Sequence, residues 1–201
     1  MKPVIALFLV TVPAVASGAP PGDSPPGSLW LGGGIELLTA GGVSTDGFGG
    51  TVSTDLTNAT GLVGNFDYQA SDLFTIRVTA GYAFGMKVSG DTGDSASAID
   101  VRLGGTVGKE VAPRVRLYGL AQLGYSSIRG NSNNGDVPDA SGPTLTLGGG
   151  GAYDLSPKLR LYFELAYEFG YEDHDYGNGR SFEYHVHYLE LGVGVQASIG
   201  H

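Results

Sequence analysis

The sequence predicts an all-β fold, an eight-stranded antiparallel up-and-down transmembrane β-barrel, on three observations. Apolar and polar residues alternate with period two in one segment after another. The connections between those segments are short and long in strict alternation. Gly accounts for 35 of 201 residues, against the roughly 7% of ordinary globular chains, and each Gly disfavours a helix by about 1 kcal/mol relative to Ala.

In chain order, the first element is a targeting segment, residues 1–16. Lys2 supplies a positive charge, and Val4 to Val12 form an apolar run too short to cross a bilayer as a helix. Ala14, Val15 and Ala16 offer the small residues that a signal peptidase requires, so cleavage is predicted after Ala16. Residues 17–28, with Pro20, Pro21, Pro25 and Pro26, read as a flexible leader. The barrel is expected over residues 29–201.

The clearest strand runs from Phe74 to Val88. Phe74, Ile76, Val78, Ala80, Tyr82, Phe84, Met86 and Val88 fall on one face, and Thr75, Arg77, Thr79, Gly81, Ala83, Gly85 and Lys87 on the other. Leu159–Tyr171 repeats the pattern, with Arg160, Tyr162, Glu164, Ala166, Glu168 and Gly170 on its polar side. The last strand sets Leu189, Leu191, Val193, Val195, Ala197 and Ile199 against Tyr188, Glu190, Gly192, Gly194, Gln196 and Ser198. Weaker alternation covers Leu29–Leu38, Leu62–Ala70, Ile99–Lys109, Arg114–Ile128 and Thr144–Leu155. Most of these segments reach the 9–11 residues that a tilted strand needs to cross a membrane.

Gln69–Asp72, Glu110–Pro113 and Ser156–Lys158 are tight connections. Gly42–Thr60, Ser89–Ser95, Gly130–Pro143 and Glu172–Ser181 are long, hydrophilic and acidic. Membrane barrels of the bacterial outer membrane show this asymmetry, with tight periplasmic turns and longer external loops. Both termini are then expected on the periplasmic side.

Charge and size decide which face points inward. An eight-stranded barrel has an interior just wide enough for side chains, and the bulky apolar series would overfill it. The other series is mostly small, and it carries Arg77, Arg102, Arg116 and Arg160 together with Glu36, Asp100, Glu164, Glu168 and Glu190. Buried charges persist when paired, and both signs are present for a network in the lumen. On the lipid face an Arg at mid-membrane would cost about 2–4 kcal/mol. A soluble barrel or sandwich with the same strand count would carry Lys-rich edges and far less Gly. Tyr68, Tyr125, Tyr153 and Tyr171 near strand ends fit interfacial aromatic girdles.

Composition narrows the remaining classes. The formal net charge of −9 argues against a nucleic-acid partner, which needs a basic footprint. The chain contains no Cys, so it must be stable without disulfides and has no thiol for a lipoprotein anchor.

At this point the chain resembles the small outer-membrane barrel family that includes the OmpA transmembrane domain, OmpX, Ail and OmpW. The resemblance covers about Ser28 to His201 and is clearest in the stretch from Asp154 to Phe169 and in Leu189–Val195. It implies a bacterial outer-membrane location and insertion by the outer-membrane assembly machinery. That machinery recognises a C-terminal strand ending in an aromatic residue, and His201 departs from this pattern. No periplasmic peptidoglycan-binding domain is expected after the barrel, so that OmpA role is not expected to carry over.

Several constellations offer chemistry. Glu172, Asp173, His174, Asp175, Glu183, His185 and His187 concentrate titratable groups around the last long loop. His174, His185 and His187 are weak metal-ligand candidates; the last two share a strand face, but no spacing here is diagnostic. Ser181 with Glu183 and His185 supplies the residue types of a nucleophilic rim enzyme without a recognisable signature. The Gly runs 32–34 and 148–151 open no helix and lack the Lys of a phosphate loop. The loops Gly90–Asp94 and Asn131–Asp136 do not match calcium-loop spacing; their acidity suits divalent cations bridging to lipopolysaccharide.

The expected function is therefore that of a non-enzymatic surface barrel with a largely filled lumen, acting in envelope integrity or adhesion through its acidic loops. No cofactor is expected. The expected partners are outer-membrane lipid, lipopolysaccharide and the assembly machinery, and the expected state is a monomer, because a closed barrel leaves no edge to pair. The alternative is a narrow channel or a conduit for small hydrophobic molecules, for which Gly148, Gly150, Gly192 and Gly194 would leave free volume.

Overall fold

A computed structural model of the chain describes residues 25–47, 50–56, 58–86, 95–130, 140–175 and 181–200. The targeting segment, most of the leader and the centres of several long connections lie outside these residues. Among the described residues there are nine strands and no helix. They are β1 (Leu29–Gly47), β2 (Gly50–Leu56), β3 (Ala59–Gln69), β4 (Phe74–Met86), β5 (Ala96–Ala112), β6 (Val115–Gly130), β7 (Ala140–Ser156), β8 (Leu159–Asp175) and β9 (Ser181–Gly200).

Consecutive strands pair antiparallel from β3 to β9, and β9 returns to pair with β1. The nine elements make an eight-stranded closed barrel, because β2 and β3 lie in one register against β1. Leu38 pairs with Ala59 and Gly41 with Leu56, the same diagonal. The predicted fold is the observed one, and its elements are longer than the sequence pattern suggested. Most of Gly42–Thr60, expected as a loop, is an antiparallel ribbon of β1 and β2. Strand structure likewise extends into parts of Gly130–Pro143 and Glu172–Ser181.

The pairing also fixes the barrel's width. Following partners once around the barrel from Leu29 leads through Tyr68, Ile76, Gly105, Ala121, Leu147, Tyr167 and Leu189 to Thr39, a stagger of ten residues. With a rise of about 3.3 Å and a strand spacing of about 4.8 Å, eight strands at that stagger tilt by about 40° and enclose a backbone radius of about 8 Å. At that tilt the 13 residues of β4 rise about 33 Å, enough for an apolar band of about 25 Å.

The alternation sorts residues as the charge argument requires. Leu62, Val101, Leu103, Leu123, Phe163 and Val193 stand exposed on the outer wall. Tyr68 and Tyr153 face outward near the short-turn end, and Tyr125 and Tyr171 near the long-loop end. Met86 departs from its expected series. Gly85 adopts φ +78°, the register against β5 shifts there, and Met86 is turned inward and buried. Only Gly enters that backbone region without steric penalty, so the bulge is written into the sequence as a single residue.

Inside, the loop end of the lumen is apolar: Leu38, Met86 and Val186 pack with Tyr188 and four alanines. The middle and the turn end are polar and aromatic. Tyr162, 2% exposed, lies against the facing glycines Gly34 and Gly194 of β1 and β9. A methyl on Gly194 would collide with the Gly33 carbonyl oxygen and the Tyr162 ring, whereas one on Gly64 would meet nothing closer than 3.8 Å. Gly194→Ala should therefore destabilise the refolded barrel by about 1–3 kcal/mol. Gly64→Ala should leave urea unfolding in lipid vesicles essentially unchanged.

Candidate functional site

The candidate site is the lumen itself, because period-two alternation delivers every second residue of each strand to it. Two arginines organise its middle. Arg77 on β4 donates from Nε to Asp67 Oδ1 at 2.7 Å and from Nη2 to Asp67 Oδ2 at 2.8 Å, the fork geometry of a strong charge-assisted pair. Its Nη1 crosses the lumen to Glu164 on β8. Tyr118 donates to the same carboxylate at 2.7 Å, and its ring lies under the Arg77 guanidinium. Gln196 donates to Asp67 at 2.9 Å and to Asn65 at 2.8 Å, tying β9 to β3.

Arg102 on β5 gathers four carboxylates, one from its own strand and one each from β1, β8 and β9. Its Nε meets Asp100 at 2.6 Å, and Nη1 meets Glu190 at 2.7 Å and Glu168 at 3.2 Å. Nη2 lies 3.7 Å from Glu36. Glu168, 1% exposed, also accepts from Tyr188 at 2.6 Å and from Thr146 at 2.9 Å. A buried carboxylate with three donors has its lone pairs well used, as low dielectric demands.

Arg160 and Arg116 lie at the turn end. The Arg160 guanidinium lies 3.4 Å from the centre of the Trp30 ring and 3.5 Å from Asp154. Arg116 donates to the carbonyls of Asp72 at 3.0 Å and Gly108 at 3.3 Å and to the Gln69 side chain at 3.4 Å. Arg160 also faces Asp67, so the turn-end group adjoins the Arg77 cluster. Arg114, in the β5–β6 turn, takes φ 70° although it is not Gly.

The structure thus brings Arg77 to Glu164, and Arg102 to Glu36, Asp100, Glu168 and Glu190. Asp67, the principal partner of Arg77, was missed in the sequence. Its signal was present, since Asn65, Asp67 and Gln69 alternate with Phe66 and Tyr68. The glycines that suggested free volume are partly covered by aromatic rings: Tyr118 over Gly150, and Tyr162 against Gly194. Two described cavities in this region have about 20 Å³ each, room for a single water.

The histidines lie elsewhere. His185 is exposed and His187 half-buried on the outer face of β9, their rings beside Tyr171 at 5.2 Å and Tyr167 at 6.0 Å. The side chains of His174, Ser181 and Glu183 lie outside the described residues. Among the described residues no group of three or more His, Asp or Glu side chains is placed to hold a metal ion.

Arg102→Met would leave Glu190 and Glu168 buried without their cation. Removing one partner of a buried pair costs about 3–5 kcal/mol, and a loss of that size is expected in urea unfolding of the refolded barrel at neutral pH.

Similarity to known proteins agrees with this geometry. A family model described as an outer membrane protein beta-barrel domain matches residues 3–197. Among solved structures, the outer membrane protein OprG from Pseudomonas aeruginosa superposes with a TM-score of 0.60 at 14% identity, over 89% of this chain and 99% of that one. Neisserial surface protein A gives a TM-score of 0.56 at 13% identity, over 85% and 97%. The outer membrane protein AlkL, solved in lipid bilayers, gives 0.55 at 15% identity, over 94% and 96%. No curated protein sequence matches the chain.

Proposed function

The chain belongs to the outer membrane protein beta-barrel domain family, and from that premise we propose that it is a sealed, non-enzymatic barrel whose working surface is its acidic long-loop end. Its place is the bacterial outer membrane. The observation that carries the reading is the crossing of the lumen by two arginine-centred networks. Arg77 joins β4 to β3 and β8, and Arg102 joins β5 to β1, β8 and β9. A solute would have to break several buried charge-assisted bonds to pass, each stronger than a neutral one.

A plugged lumen leaves the outside to do the work. The short-turn end and both termini then face the periplasm, and the long connections face outward. Their acidity, read from the sequence, suits divalent cations held between the loops and the phosphates of lipopolysaccharide. Envelope integrity and surface attachment both follow from such a contact, and neither requires a catalytic group.

Single-channel recording of the refolded chain in a planar bilayer tests the seal. Inserted barrels should be electrically silent at neutral pH. Discrete, stable openings would overturn the reading and favour a narrow channel. For the surface, a chelator of divalent cations should weaken binding of the refolded barrel to lipopolysaccharide severalfold; undiminished binding would remove the cation bridge.

A further inference from the structure

We propose that the cluster around Arg102 is a proton-binding site, in which Glu36, Asp100 and Glu190 share protons at neutral pH and so keep the plug closed. This extends the sealed-lumen reading, and it rests on a count that the register makes possible. Four carboxylates lie within 3.7 Å of one guanidinium. The other mid-lumen cation, Arg77, is already committed to Asp67 and Glu164. Six acids therefore surround two cations.

Arg160, at the turn end of β8, is the other cation that Asp67 faces; beside the acids around Arg102 the described wall supplies no further compensating charge. Beside these acids, β3 contributes Asp67 and Asn65, and β4 contributes Arg77 and Thr79. β6 contributes Tyr118 and Gln122, and β7 contributes only Thr144 and Thr146. β8 adds Tyr162 and Glu164, and β9 adds Tyr188. Among the described residues of the mid-lumen there is no Lys or His, and His185 and His187 point to the outer face. Above the cluster lies the apolar layer of Leu38, Met86 and Val186, which offers the acids no polar partner. An uncompensated carboxylate in such surroundings is neutralised rather than left charged.

A second feature of the site is independent of its acids. Tyr162 is 2% exposed, and its hydroxyl proton has no acceptor. Its polar neighbour Asn65 faces the hydroxyl as a donor, since the Asn65 Oδ1 is taken by Gln196. Tyr162 lines a cavity of about 20 Å³ whose wall also includes Glu36, Arg102, Glu164 and Glu190. One water fits that space, and Tyr162 and the carboxylates surround it. The cavity gives a proton a seat and a route: a carboxylic acid passes its proton to that water, and the electron pair stays on the carboxylate.

Infrared spectroscopy of the full chain refolded in lipid vesicles tests this. At pH 7 the spectrum should contain the carbonyl stretch of protonated carboxyl groups, and the band should vanish reversibly on alkaline titration. The double variant Glu36→Gln, Glu190→Gln should fold and lose most of that band. The wild type should unfold at a lower urea concentration at alkaline pH than at pH 7, and the double variant should lose most of this shift. A folded wild type without the band at pH 7 would overturn the proposal, as would a stability set by sodium or potassium concentration, which would assign the missing charge to a bound cation. A barrel that conducts at pH 7 yet shows the band would sink the sealed-lumen reading and leave the proton site standing.

Discussion

Closing β9 onto β1 with a stagger of ten residues is the constraint on which the rest of the molecule depends. Stagger and strand number together set the tilt and the radius, and a radius of about 8 Å leaves no room for an aqueous pore lined by full-sized side chains. Side chains from opposite walls must meet, so Arg77 on β4 reaches Glu164 on β8, and Arg102 on β5 reaches Glu190 on β9. Width also dictates the glycines. Tyr162 occupies a lumen of this size because Gly34 and Gly194 hold no side chain where its ring lies.

The same closure inverts the usual distribution of polarity. Leu103, Leu123 and Phe163 stand exposed on the outer wall, where lipid is the solvent and their exposure is favourable. The interior carries the charges instead, and each must find its partner within the lumen. Layering makes this workable. An apolar cluster including Leu38, Met86 and Val186 caps the loop end, and Arg160 stacked on Trp30 closes the turn end. Water is thereby limited between them, which strengthens every ion pair and raises the cost of each unpaired charge.

Much of this was legible in the sequence because a strand's two faces are set by parity alone. Phe74 to Phe84 and Leu159 to Tyr171 declared their outward and inward sides without reference to any partner. Parity failed where one residue breaks it: the bulge at Gly85 sends Met86 inward. It was also obscured where neither face is bulky. The β1–β2 ribbon is built mostly from Gly, Ser, Thr and Asp, the residues of a loop, and its sequence carries no apolar stripe. Asp67 sat in a segment whose alternation is blurred by Val63 and Gly64. The gathering of four acids on Arg102 was illegible for a different reason. Glu190 is 88 positions from Arg102, and only the stagger, which no local pattern encodes, says that they meet.

That excess of acid bears on what the lumen is for. A plug needs only bulk and complementary pairs. The Arg77 cluster supplies nearly that, with two carboxylates, a Tyr and a Gln in mutually satisfying geometry. The Arg102 cluster goes further, holding four carboxylates on one cation. Stability does not ask for this, since replacing buried ionic groups by apolar residues of similar volume is often neutral or stabilising. Small apolar residues are available to this wall, as Ala59, Ala83 and Ala98 show one layer above. A composition that stability would erode, in a lumen crossed by side chains from opposite walls, is accounted for if the acids are there for the protons they exchange.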